Sequence, residues 1–137
     1  MKEQLISFET AKLAKEKGFS ERVRFIWYDN KMKPFIEDNL IREYGYIPGE
    51  WNGNMHYKKD PSETYTSAPT QSLLQKWLRE EHNIHILTRP FHDSLLGKTT
   101  CIADVIRIGD GRVLKSPRMD TYEEALEIAL QNALMLI

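Results

Sequence analysis

The sequence predicts an α+β fold, a three- or four-stranded antiparallel sheet with helices packed on one face. Three observations predict it. In residues 69–83, Leu73, Leu74, Trp77 and Leu78 recur at i, i+1, i+4 and i+5, which makes one continuous apolar helix face. Ile84 and Ile86, and then residues 99–108, alternate with the period of a strand. Residues 121–137 return to helical spacing after a Gly-Asp-Gly turn. From residue 69 onwards the order is therefore helix, strand, strand, strand, helix. With 137 residues, 41% of them hydrophobic, the chain can fill one packed core, so it reads as one domain over 1–137. Within it, 1–66 supplies an N-terminal helix, a strand and a long loop, and 67–137 supplies the α-β-β-β-α unit.

The first element lies in "ISFETAKLAKEKGF". Ser7 is a natural N-cap, because its hydroxyl can accept from a free amide of the first turn, and Gly18 suits the left-handed position after the last turn. Phe8, Ala11 and Ala14 share a side. "RVRFIWY" (22–28) is rich in β-branched and aromatic residues and ends at Asp29-Asn30, a turn signal, so it reads as a strand. A short helix is expected after Pro34, where Phe35, Ile36, Leu40, Ile41 and Tyr44 recur at helical spacing. Residues 45–67 break every period with their glycines, prolines and asparagines, and read as a long loop.

The helix over 69–83 takes Pro69 into its first turn, where the missing amide costs nothing, and ends on Asn83 as its cap. It passes directly into a strand at Ile84. "RPFHDSLLGK" (89–98) holds turn formers and is read as a connection between strands. "TTCIADVIRI" (99–108) reads as a central strand with Ile102, Ile106 and Ile108 on one side and Cys101, Ala103 and Val105 on the other. Gly109-Asp110-Gly111 is a hairpin signal, "RVLKS" completes the hairpin, and Pro117 ends it. Thr121, with Glu124 three residues later, is a capping box opening the last helix. Ala125, Leu126, Ala129, Leu130, Ala133, Leu134 and Ile137 cover more than one stripe of it. Such a helix is buried on two sides, or meets another subunit.

The 67–137 order, with a leucine-rich first helix and an alanine-leucine last helix, resembles the topology of double-stranded-RNA-binding domains. Those domains place lysines at the start of their last helix, where ammonium groups and the helix dipole meet phosphate. Here that position reads Thr121-Tyr122-Glu123-Glu124, and carboxylates repel phosphate, so the RNA activity does not carry over. The phrases "ISFETAKLAKEKGF", "APTQSLLQKWLREEHNIHI" and "YEEALEIALQNALMLI" are similar to those of a group of small proteins of gut bacteria and their phages or prophages. That resemblance implies a mobile-element origin and brings no activity, cofactor or catalytic residue with it.

Charge and cysteine content narrow the function classes. A net charge of -1, with 28% charged residues split evenly between signs, gives no global field towards nucleic acid or an anionic membrane. Cys101 is the lone cysteine, which excludes an internal disulfide and a thiolate cage, and fits a reducing cytosol. The N-terminus has no signal-peptide core, and no run approaches the roughly 20 apolar residues of a membrane span. The expectation is a cytoplasmic protein with no membrane contact.

No catalytic residue, cofactor or metal is expected. His82, His85, His92 and Cys101 lack ligand spacing, since the first two straddle the end of a helix and the start of a strand. Cys101 lies in an apolar strand and behaves as a small hydrophobe. "LLGKTTC" ends like a phosphate-binding loop, yet His92 stands where the first glycine should. The candidate binding residues are Tyr46, Trp51, Tyr57 and Lys58 in the 45–67 loop, and Arg107 and Arg112 on the sheet. Rings beside ammonium groups can stack on bases and neutralise phosphates. The leading expectation is a non-enzymatic phage or prophage accessory protein that binds a protein partner or self-associates. Its alternative is a nucleotide-like-ligand or nucleic-acid binding module using the loop or the basic sheet face.

Overall fold

The computed structural model describes residues 4–21, 23, 25–28, 31–34 and 65–137. The chain forms two compact units, one of Leu5–Thr70 and one of Gln71–Ile137 with Met1–Gln4. The described elements make an α+β fold, and none of their helices is long and apolar enough to cross a membrane.

The first unit opens with α1, Phe8–Glu16. Ser7 caps it by accepting from Thr10 N at 3.2 Å, and Gly18 takes φ 88° just beyond the last turn, where a side chain would be strained. Ala11 and Ala14 are buried, and Phe8 is half-buried. The strand expected over 22–28 is β1, Phe25–Tyr28. It pairs antiparallel with β2, Lys31–Pro34, and with β3, Tyr65–Ser67, in the order β2-β1-β3. These two partner strands go beyond the sequence expectation. Lys31–Pro34 is too short and polar to show a period, and Tyr65–Ser67 is the end of the stretch that reads as loop. The rest of that loop, with the helix expected after Pro34, lies outside the described residues.

The second unit holds the expected helix as α2, Gln71–His82. Pro69 precedes its first turn, and its carbonyl accepts from Ile6 N at 3.1 Å within the first unit. Leu74, Trp77 and Leu78 are buried, which confirms the apolar face. Asn83 alone joins α2 to β4, Ile84–Asp93, and its φ of 56° makes the reversal. Next come β5, Lys98–Arg107, β6, Arg112–Lys115, and β7, Arg118–Met119. They form a four-stranded antiparallel sheet in which β5 is central, β4 lines one side of it, and β6 and β7 share the other.

The connection expected over 89–98 is corrected by the structure. β4 runs on through Arg89, Pro90, Phe91, His92 and Asp93, each paired with β5, and the turn is only 94–97. Proline is tolerated because of the ladder's alternation. Ile108 N donates to Asn83 O at 2.9 Å, and Ala103 N donates the other way, to Pro117 O, at 3.0 Å. Neighbouring residues of a strand point their backbone groups to opposite sides. Counting from the Asn83–Ile108 rung, His85, Leu87, Arg89, Phe91 and Asp93 turn theirs to β5, whereas Ile84, Ile86, Thr88, Pro90 and His92 turn theirs outward. Pro90 therefore removes no bond from the ladder.

The last helix is α3, Tyr122–Met135, whose cap Thr121 accepts from Glu124 N at 3.2 Å. Its Ala125, Leu126, Ala129, Leu130, Ala133 and Leu134 are all buried. The helix packs on β4, β5 and α2, so the protein's own sheet and second helix absorb the apolar surplus seen in the sequence. Beneath it lie Ile84 and Ile86 of β4 with Ala103 and Val105 of β5. Gln71 ties the starts of the two helices together, donating from Nε2 to Glu123 O at 3.2 Å.

Candidate functional site

Alternation along β4 and β5 sorts the side chains. Cross-strand partners share a face, so His85–Ile106, Leu87–Asp104, Arg89–Ile102, Phe91–Thr100 and Asp93–Lys98 lie on the face away from the helices. Arg118, opposite Ile102, and Val113, opposite Ile106, join them. This open face is mixed, with Leu87, Phe91 and Val113 exposed among charged groups.

The charges on it are paired. Asp104 is only 7% exposed and holds two donors, Arg89 Nε at 2.9 Å and Ser116 Oγ at 2.7 Å. Burial raises its pKa, but the hydrogen bonds from Arg89 and Ser116, with the guanidinium's charge, outweigh that and leave it below the usual carboxylate value. Ile102 is buried between two arginines, its partners on either side, whose aliphatic stems can cover it. Arg118 lies 4.2 Å from the centroid of the Phe91 ring, donates from Nε to Thr100 Oγ1 at 2.9 Å, and approaches Asp93 at 3.7 Å. Lys98 pairs with Asp120 at 2.7 Å.

At the end of this sheet is the 94–97 turn. Asp93 Oδ1 accepts from Leu95 N at 2.9 Å and Leu96 N at 3.2 Å, and Gly97 takes φ 62°, so side chain and glycine together set the turn. The turn holds out two leucines, Leu95 at 95% and Leu96 at 74% exposure. Sequence reasoning treats this segment as a plain connection and misses them. Two adjacent leucines between turn formers are the available signal.

Of the sequence candidates, Tyr46, Trp51, Tyr57 and Lys58 lie outside the described residues. Arg107 and Arg112 are brought together as cross-strand partners beside the Gly109–Gly111 turn. Arg107 is held by Asp110, with Nε to Oδ1 at 3.1 Å and Nη2 to Oδ2 at 2.7 Å, a contact that raises its pKa and lowers that of Asp110. Asp110 also accepts from Arg112 N at 3.1 Å. Of the basic residues on this sheet, Arg89, Lys98, Arg107 and Arg118 are ion-paired, whereas Arg112 and Lys115 form no ion pair among the described residues.

His82, His85, His92 and Cys101 are dispersed. His82 sits edge-on to Trp77 with ring centroids 4.5 Å apart, His85 is on the open face, His92 Nδ1 is 3.0 Å from Thr99 Oγ1, and Cys101 stands opposite Pro90. Among the described residues no group of three His, Cys, Asp or Glu side chains could hold a metal ion. Compared with protein-family models, curated proteins and solved structures, the chain matches none.

Proposed function

We propose that the chain is a non-enzymatic accessory protein, of the kind carried by phages and prophages, that binds another protein through the sheet face and turn its helices leave uncovered. The observation that carries this reading is the pair Leu95 and Leu96, held out on a turn ordered by Asp93. Covering apolar surface gains roughly 25 cal/mol per Å², and a fixed leucine pair gains it only against a partner. The adjoining face supports the same reading. Exposed Leu87, Phe91 and Val113 sit beside ion pairs whose charges cancel, a mixture that suits a protein more than a phosphate.

A photo-crosslinking residue at position 95, in cells carrying the chain, tests this. The expected result is a discrete covalent protein adduct, weakened by Leu96→Asp and absent when the crosslinker is moved to exposed position 122. No adduct, or the same adducts from both positions, would overturn it.

A further inference from the structure

The free edge of β4 narrows the class of partner, an inference that rests on the protein-binding reading proposed above. The two sides of the sheet end differently. Past β5, among the described residues, lie only four-residue β6 and two-residue β7, with a register shift at Val105/Ile106 and a break at Ser116-Pro117. Short, irregular strands of that kind resist further pairing. The other side ends on β4, ten residues long, regular throughout its pairing with β5 and bordered by no other strand among the described residues. By the alternation fixed at Asn83–Ile108 and Ala103–Pro117, the amides and carbonyls of Ile84, Ile86, Thr88 and His92 point off this edge, as does the carbonyl of Pro90. Such a row is completed by another extended strand.

We propose that this strand is β4 of a second copy, joined antiparallel about a two-fold axis at Arg89. The side chains of β4 complement themselves in that register. Partners in an antiparallel pair share a face, so Leu87 meets the second copy's Phe91 and Phe91 meets the second copy's Leu87, on both sides of the axis. These are the two exposed large apolar residues of the strand, at 48% and 37%. His85 meets the second copy's Asp93, a pair of complementary character. The two Arg89 side chains meet at the axis, each already neutralised by its own Asp104 at 2.9 Å. Pro90 still accepts from the second copy's Thr88 amide, and the one donor it lacks faces a carbonyl that water can reach. A two-fold axis at Pro90 would set two donor-less residues against each other, and one at Thr88 would set Leu87 against Arg89. The product is a continuous sheet with β4 at its centre and the short strands at both rims.

Sedimentation equilibrium of the full chain, at concentrations up to on the order of 100 µM where small interfaces still populate, tests this with two double variants. The wild type is expected to be a dimer. Leu87→Lys with Phe91→Lys sets like charges opposite each other and is expected to be monomeric, while Leu87→Lys with Phe91→Glu sets opposite charges together and restores the dimer. Register is read separately by cysteine pairing in a Cys101→Ser background. A mixture of Leu87→Cys and Phe91→Cys proteins is expected to crosslink under mild oxidation, and each alone far less. This readout stands even where a lysine variant fails to fold. A dimer unaffected by the lysine pair, or equal crosslinking of mixture and single variants, would overturn the proposal. So would a monomeric wild type, which leaves the position-95 crosslink to decide whether a different protein binds.

Discussion

Arg89 and Asp104 meet diagonally across the open face. Arg89 stands opposite Ile102 and Asp104 opposite Leu87, yet Arg89 Nε donates to Asp104 Oδ2 at 2.9 Å. The diagonal contact, with Ser116 on the other oxygen, joins β4, β5 and the segment after β6 through a single carboxylate. Removing one partner leaves a buried charge under-satisfied. Arg89→Ala is expected to cost about 1–3 kcal/mol of unfolding free energy, measured in urea at neutral pH. A cost below about 0.5 kcal/mol would mean that solvent replaces the guanidinium.

The same carboxylate sets an acid dependence. Burial raises the Asp104 pKa, the bonds from Arg89 and Ser116 more than offset it, and the folded value lies below the unperturbed 3.8. A depressed folded pKa gives stability that is present above the unfolded value and is lost as pH falls through the folded one. The stability gap between wild type and Asp104→Asn should therefore be constant near neutrality and shrink below pH 3.8. Denaturant unfolding at several pH values would check it. A gap that widens on acidification would contradict the assignment.

Asn83, at φ 56°, has a backbone conformation that costs most side chains roughly 1–2 kcal/mol. Asn83→Ala should lower stability by about that amount, and Asn83→Gly should lower it little or not at all. Thermal unfolding of the two variants gives the comparison. Equal losses would show that the asparagine side chain matters more than the torsion.

Leu130 and Leu95 are one residue type in opposite settings, the first without exposure and the second almost fully exposed. Leu130→Ala should cost about 2–5 kcal/mol through the cavity it leaves. Leu95→Ala should change stability by less than about 0.5 kcal/mol. If Leu95→Ala proved destabilising, the turn would be a structural element and its leucines would lose their role as a display.

Periodic segments are legible in the sequence because burial imposes period on them. Leu74, Trp77 and Leu78 are buried where the i, i+4 pattern places them, and the alternation of Cys101–Ile106 matches the two faces of β5. Thr121 and Ser7 cap helices as their hydroxyls suggest. Each departure from the sequence expectation has a physical reason. Pro90, His92 and Asp93 look like turn chemistry, but an edge strand asks for bonds on one side only and tolerates a proline facing the other. β2 and β3 are too short for any period to show. The Arg89–Asp104 diagonal depends on register, which one chain's residues do not encode locally, and the exposure of Leu95 and Leu96 depends on what fails to cover them.

The one-residue joint at Asn83 leaves no slack between helix and strand. An extra residue there would swing α2 by about 100° relative to β4 and turn Leu74 and Trp77 away from their shelter. The 94–97 turn tolerates lengthening, since its side chains stand in water. Evolution and engineering alike therefore have room to graft new sequence at one end of β4 and none at the other.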